Sequence, residues 1–354
     1  MPVIAEKSLI RPSIELEWGY ATDTGKVRKL NEDSLLAGPG VYVVADGMGG
    51  HQAGDVASRL TIEACRELAT GEPADVLIAA DMVKLSNERV RQYARQMGQE
   101  GMGSTLVGAL LVANGNEDSV IVFNVGDSRC YALANNDVVA AQITKDHSLV
   151  QEMIDQGEIS SEQAKSHRQR NVVTRAIGIE DVVAADFVVI PHARRLRLLL
   201  CSDGVSGEVS DAAISQILSQ GASPQEAADA LVAAVMQGKA LDNATALVLD
   251  VVRPTLDDLH HEANDLEATG PRPTVVDNNV AASRFDSGAT QPIPLLPPSN
   301  AGAVIESVTG FAVTPFDLAP NENVIVDVPA AAGSPSVNVD TGLPIPLLID
   351  GVPS

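Results

Sequence analysis

The sequence predicts an α+β fold, a core of short and mostly antiparallel strands covered by helices. Two observations predict it. Apolar or alternating runs rich in β-branched residues recur through residues 41–252, and those between 104 and 144 are joined by turns too short for parallel crossovers. Between and after them stand longer segments with helical spacing and helix-start signals.

In chain order, "VYVVAD" (41–46) is the first strand, an apolar run closed by an aspartate and a glycine. Helices are predicted over about 52–69 and 73–97. "STLVGALLVA" (104–113), "SVIVFNVGD" (119–127), "CYALA" (130–134) and "VVAAQIT" (138–144) then predict hairpin-linked strands. A helix over 147–157 precedes the strands "VVAADFVVI" (182–190) and "RLRLLLCSD" (195–203). Helices follow over 210–220 and 224–237. The second opens after Ser223 with Pro224 in its first position and Glu226 three residues past the serine, so its first N–H groups have acceptors. "ATALVLDVV" (244–252) is the last strand.

Beyond Arg253 the composition shifts to Pro, Ala, Asn, Asp and Thr. A folded unit over 1–253 and a largely disordered acidic tail over 254–354 are expected. The tail carries "PIPLLPP" at 292–298 and "PIPLL" at 344–348, read either as coincidence in a Pro/Leu-rich segment or as a duplicated docking motif.

An apolar share of 45% over 354 residues supports a packed core. No run approaches the roughly 20 apolar residues of a membrane span, and "MPVIAEKSLIRPSIELEW" lacks a basic region followed by an apolar one, so a cytoplasmic protein is expected. Cys65, Cys130 and Cys201 lie far apart in apolar surroundings and are expected to be buried free thiols. The formal charge of −23 argues against a nucleic-acid partner, which needs a basic surface. Of that charge, −11 lies in 254–354, which holds 13 acidic residues against Arg272 and Arg284. An acidic site also repels phosphate unless bound cations reverse the local field.

Three strands end alike. "VYVVADG", "VFNVGDS" and "LLLCSDG" leave Asp46, Asp127 and Asp203 at strand tips, and Asp242 stands just before the last strand. One such aspartate is ordinary turn chemistry, but four converging carboxylates need cations. Carboxylates with a backbone carbonyl and waters are ligands for Mg²⁺ or Mn²⁺, and Gly47 would let the chain bring its carbonyl close. No histidine or cysteine spacing points to zinc. Upstream, "TGKVRKLNEDS" (24–34) offers Glu32 and Asp33 to a second metal, and Arg28 offers a planar fork for a phosphate dianion.

These blocks, with "GMGSTLVGALL", "NVGDSRCY", "ITKDHSLVQEMIDQGEIS", "RNVVTRAIG", "LLLCSDGVSGEVS" and "DNATALVLDV", stand in an order that resembles the PP2C-type (PPM) metal-dependent protein Ser/Thr phosphatases in their bacterial form, from Trp18 to Val252. The resemblance implies a central sandwich of two antiparallel sheets with helices on both faces and a two-metal centre at one end. It implies that Asp46 bridges both metals, that Gly47 offers its carbonyl to the second, and that Asp203 and Asp242 hold the first. Glu32 matches the residue holding the second metal through water, with Asp33 beside it. Asp127 matches a ligand of a weaker third metal, and Arg28 the phosphate-binding arginine. The implied cofactor is Mn²⁺ or Mg²⁺, two ions with a possible third. The implied reaction is attack of a metal-activated water on phosphoserine or phosphothreonine, with phosphoproteins as substrates and a cognate Ser/Thr kinase as counterpart.

Several positions depart from the family pattern. Methionine stands at Met48, where many eukaryotic relatives have a histidine taken as the general acid, and that role is not moved to His51. Gly207 replaces a usual third-metal aspartate four residues after Asp203. The segment 145–178 resembles the family's substrate-selecting flap, with His167–Arg168 in place of His-Pro and with Arg170 and Arg175 as candidates to steer an acidic phosphopeptide. A catalytically silent phosphoprotein scaffold and the regulatory branch acting on anti-sigma-factor antagonists are the alternatives. The complete acidic set weighs against the first, and Arg28 against the second.

Overall fold

The computed structural model describes residues 6–11, 14–38, 40–49, 53–69, 77–114, 117–135, 137–190, 193–253 and 324–325. The chain divides into residues 1–254 with 320–354, and residues 255–319; every described residue lies in the first unit. Its elements are two antiparallel sheets and their covering helices. The first sheet runs in the order β1 (Glu6–Arg11), β2 (Ile14–Asp23), β12 (Ala244–Val252), β11 (Arg195–Cys201), β8 (Arg129–Ala134) and β9 (Ala141–Gln142). The second runs β13 (Val324–Ile325), β10 (Asp186–Ile190), β7 (Glu117–Val125), β6 (Leu106–Asn114), β4 (Val41–Met48) and β3 (Asp33–Gly38), with β5 (Gly103–Ser104) paired to the end of β4.

Side-chain alternation makes this a sandwich. Tyr42 and Val44 of β4 share one apolar cluster with Ile14, Leu16 and Trp18 of β2 and Leu198 and Leu200 of β11, the interior between the sheets. The residues between them, Val41, Val43 and Ala45, turn the other way and pack with α1 (Ala53–Leu68) and α2 (Leu77–Met97). On the opposite outer face, Leu199, Cys201 and Val248 pack with α6 (Asp211–Ser219) and α7 (Pro224–Gln237). Four layers result, helix, sheet, sheet, helix. Trp18 and Tyr42 meet edge to face across the interior with centroids 5.5 Å apart. Cutting Leu198, fully buried there, to alanine costs about 2–5 kcal/mol.

The sandwich of antiparallel sheets agrees with expectation, and so does α7, whose capping box joins Ser223 and Glu226. All three cysteines are buried and free, with burial pushing the Cys65 and Cys201 thiols up to about 12. Other readings need correction. Strands β1, β2 and β3 were not anticipated; "IELEWGYATD" alternates in burial only over its first five residues, and β3 begins inside the charged stretch 24–34, read for its ligands alone. The strand read over 138–144 shrinks to Ala141–Gln142, because Val138 and Val139 stand 70% and 71% exposed in a turn. The strand read from 182 begins only at Asp186.

Segment 145–178 carries α3 (Leu149–Asp155) and α4 (Ser161–Lys165), and both of its ends are pinned. The Thr174 N–H donates to the His147 carbonyl at 2.9 Å, and Ile177 exchanges backbone hydrogen bonds with Ser104. The tail expectation lies outside the described residues, except that Val324–Ile325 pair with Phe187 and Asp186 at the edge of β10. Among the described residues no helix is long and apolar enough to cross a membrane.

Candidate metal centre

The acidic residues gather at one end of the sandwich because strand register and short loops deliver them there. Antiparallel pairing of β3 with β4 sets Asp33 opposite Asp46. The Asp46 N–H donates to Thr105 Oγ1 at 2.9 Å and its carbonyl accepts the Thr105 N–H at 2.8 Å, which fixes the strand end. The Gly47 N–H donates to the Glu32 carbonyl at 3.1 Å. A Cβ on Gly47 would lie 1.9 Å from the Gly54 carbonyl oxygen, so only glycine allows α1 to start this close to the strand. That closeness serves Glu32, whose carboxylate accepts the Gly54 N–H in the first turn of α1, where backbone donors lack helical partners.

Asp203 opens the short helix α5 (Asp203–Ser206) directly after β11. The preceding Ser202 donates through Oγ to Asp33 Oδ2 at 2.8 Å and accepts the Thr245 N–H at 3.0 Å. Asp242 precedes β12, and its buried neighbour Asn243 organises the acidic loop. Asn243 Oδ1 accepts the Glu32 N–H at 2.8 Å, while Nδ2 donates to the carbonyls of Thr24 at 2.9 Å and Leu30 at 3.0 Å. Asp127 follows β7, buried in the next turn.

The electrostatics are those of a carboxylate cluster. Burial pushes the Asp46 carboxyl well above its ordinary range, and Asp33, Asp203, Asp127 and Asp242 push it further. Asp203 is raised by burial and then by Asp242, and Asp127 by burial and then by Asp203 and Asp146. Asp33 is raised chiefly by burial, against hydrogen bonds from its polar neighbours, and its Oδ1 is a buried acceptor with no hydrogen-bond partner. Among the described residues no three such side chains already enclose a metal-sized point. They are near enough for each carboxylate to raise its neighbours' pKa, and Asp46 and Asp203 share a hydrogen bond. The orphaned Asp33 oxygen and four carboxyls driven toward protonation fit hard divalent cations, which take oxygen ligands.

Cationic groups border the cluster. Arg28, 45% exposed, donates to Asp242 Oδ2 at 2.7 Å and reaches Glu32 Oε2 at 3.4 Å. The Asp242 hydrogen bond and the surrounding carboxylates hold its pKa above the ordinary value. Arg129 lies beyond Asp127 and is locked two-pronged onto Asp146, at 2.9 Å from Nε and 2.7 Å from Nη2. Of the eight predicted site residues, Asp33 opens β3, Asp46 and Gly47 lie at the end of β4, Asp203 opens α5, and Arg28, Glu32, Asp127 and Asp242 lie on the loops before β3, after β7 and before β12. Asn243, Ser202 and Thr105 were missed as organisers, although Asn243 is a polar residue placed immediately before an apolar strand.

The departures resolve unevenly. His51 lies outside the described residues. Gly207 is the exposed cap of α5, and Glu208 beside it accepts the Lys239 N–H at 3.3 Å. Arg175 is tied inward, 3.0 Å from Asp186 Oδ1 and 2.9 Å from His147 Nε2, which leaves Arg170 as the exposed arginine of the pair.

An oxygen-rich acidic end on an antiparallel sandwich, with an arginine paired to it, is the donor set of a protein class that uses hard cations. Comparison with known proteins gives the same class. The protein phosphatase 2C profile matches residues 26–238. The serine/threonine phosphatase Stp of Listeria innocua is 38% identical over 247 residues, spanning 65% of this chain and 94% of that protein. PstP of Mycobacterium tuberculosis is 39% identical over 248 residues, spanning 69% of this chain and 46% of that protein. The crystal structure of the PstP catalytic domain in complex with two manganese ions superposes with a TM-score of 0.61 at 36% identity, covering 68% of this chain and all of that one. The chain belongs to the protein phosphatase 2C family.

Proposed function

We propose that this protein is a metal-dependent protein phosphatase that hydrolyses phosphoserine and phosphothreonine. The observation that carries the proposal is the gathering of Asp33, Asp46, Asp127 and Asp203, each raised by burial and by neighbouring carboxylates, with Arg28 paired to Asp242 beside them. Asp46 and the Gly47 carbonyl, with Asp203 and Asp242, would hold two Mn²⁺ or Mg²⁺ ions. Glu32 and Asp33 would act through water, and Asp127 would serve a weaker third ion. Bound there, the ions would lower the pKa of a water and neutralise charge on the attacked phosphate. Arg28 would exchange the Asp242 carboxylate for the phosphoryl oxygens and orient them for in-line attack. The cysteines take no part, because burial keeps them as neutral thiols.

The physiological setting belongs to the same reading: a cytoplasmic enzyme opposing a Ser/Thr kinase, with a catalytic unit over 1–253 and a tail whose "PIPLL" repeats dock a partner. Similarity to the named bacterial Ser/Thr phosphatases supports the phosphatase activity and its phosphoprotein substrates. Hydrolysis of p-nitrophenyl phosphate and phosphothreonine peptides is the test. Activity should need Mn²⁺ or Mg²⁺ and stop with EDTA, and a chain ending after Arg253 should keep it on small substrates. Full activity in metal-free buffer would overturn the mechanism, and equal loss on all substrates after truncation would overturn the boundary.

A further inference from the structure

Arg28 and Asp242 stand on two loops that are packed directly together. The Lys26 N–H donates to the Ala240 carbonyl at 2.8 Å and Lys26 Nζ to the Gly238 carbonyl at 2.9 Å. Gly25, at φ +79°, passes so close that a Cβ there would lie 2.3 Å from the Asp242 carbonyl oxygen. Asn243 binds the far end of the first loop at the Leu30 carbonyl. The pair is one rigid rim.

That rim carries three exposed aliphatic side chains. Val27 is 62% exposed, Leu30 41% and Leu241 47%, and Val27 and Leu30 lie within two residues of Arg28 while Leu241 adjoins Asp242. Single exposed aliphatics are common on protein surfaces, but these three stand beside Arg28 and Asp242 on two loops joined by the Lys26–Ala240 hydrogen bond. The backbone departs from its preferred conformations to hold them. Ala240, immediately before Leu241, is fully buried and has φ +47°, a left-handed conformation costly for alanine. The charges beside these aliphatics are complementary to a phosphopeptide. Lys26, Lys29 and Lys239 are exposed, whereas the loop carboxylates are engaged, Asp23 by the Gly25 N–H at 2.8 Å and Glu32 and Asp242 by Arg28.

We infer that Val27, Leu30 and Leu241 form a specificity shelf that selects phosphorylated segments with an aliphatic residue within two positions of the phosphoresidue. The inference rests on the proposed phosphatase reading and names the substrate feature that the site would recognise. With the phosphate on Arg28, the next one or two side chains of an extended segment, about 3.3–3.6 Å of chain per residue, reach the neighbouring aliphatics. Burying a leucine there is worth roughly tenfold in kcat/KM.

The test compares phosphothreonine peptides that differ only in carrying Leu or Ser at each of the two positions on either side, assayed with Mn²⁺ on the full chain. The wild-type protein should favour a leucine peptide by about tenfold at one or more positions, chiefly through KM. The exposed double variant Val27→Ser/Leu241→Ser should bring that ratio near one. Equal rates for all peptides, or a leucine preference surviving in the variant, would overturn the shelf while leaving the phosphatase reading intact. Failure to hydrolyse any peptide or p-nitrophenyl phosphate would instead overturn the reading on which the shelf stands.

Discussion

Asp46 shows most sharply what the site requires of a single residue. In the metal-free chain its carboxyl faces Asp33, Asp203, Asp127 and Asp242 and is destabilised by burial, so it costs stability until cations neutralise it. Asp46→Asn keeps the shape and removes one repelling charge. We expect the variant to melt at the same temperature as the wild type or a few degrees higher in EDTA, to lose the Mn²⁺-induced rise in Tm, and to lose turnover by at least about a hundredfold. A calorimetric scan with and without Mn²⁺ checks all but the last, and a variant destabilised in EDTA yet still raised by Mn²⁺ would contradict the role. Arg28→Ala should act differently. Losing a charge-assisted phosphate contact costs about 1.5–3 kcal/mol, read as a ten- to hundredfold fall in kcat/KM with metal affinity retained.

Among the elements, the loop over 24–32 depends on Asn243, which satisfies one backbone N–H and two carbonyls with a single buried side chain. Asn243→Ala leaves these groups unpaired at about 1–3 kcal/mol and frees the loop that carries Arg28 and Glu32. We expect a lowered Tm together with a raised KM for phosphopeptides, and a fall in Tm alone would show that the loop holds its place without Asn243. This is also where the sequence was hardest to read. Asp46, Asp127 and Asp203 were legible because each ends an apolar strand, and Asp242 because it precedes one. Asn243 was not, since nothing local says that its amide reaches back more than 200 positions. Strand β2 signals itself only over the five alternating residues Ile14–Trp18, and β3 starts behind the charged loop leading into it. In both, tertiary pairing with β12 and β4 decided what local composition left open.

At the scale of the whole molecule, the sandwich supplies the packed core and the loops at one of its ends gather the acidic residues. The two sheets bury a continuous apolar interior up to Val44 and Leu200, and the acidic residues begin two to three positions further on, at Asp46 and Asp203. A charge cluster is tolerated there because it lies at the rim of the core, beside the arginines Arg28 and Arg129. The central claim is that this cluster holds a two-metal centre bridged by Asp46. Diffraction from crystals soaked in Mn²⁺, recorded at the manganese absorption edge, tests it most directly. The account predicts two anomalous peaks roughly 3.5–4 Å apart, both ligated by Asp46, with Asp203 and Asp242 on one and the Gly47 carbonyl on the other. Manganese bound away from Asp46, or no ordered manganese at an activating concentration, would contradict it.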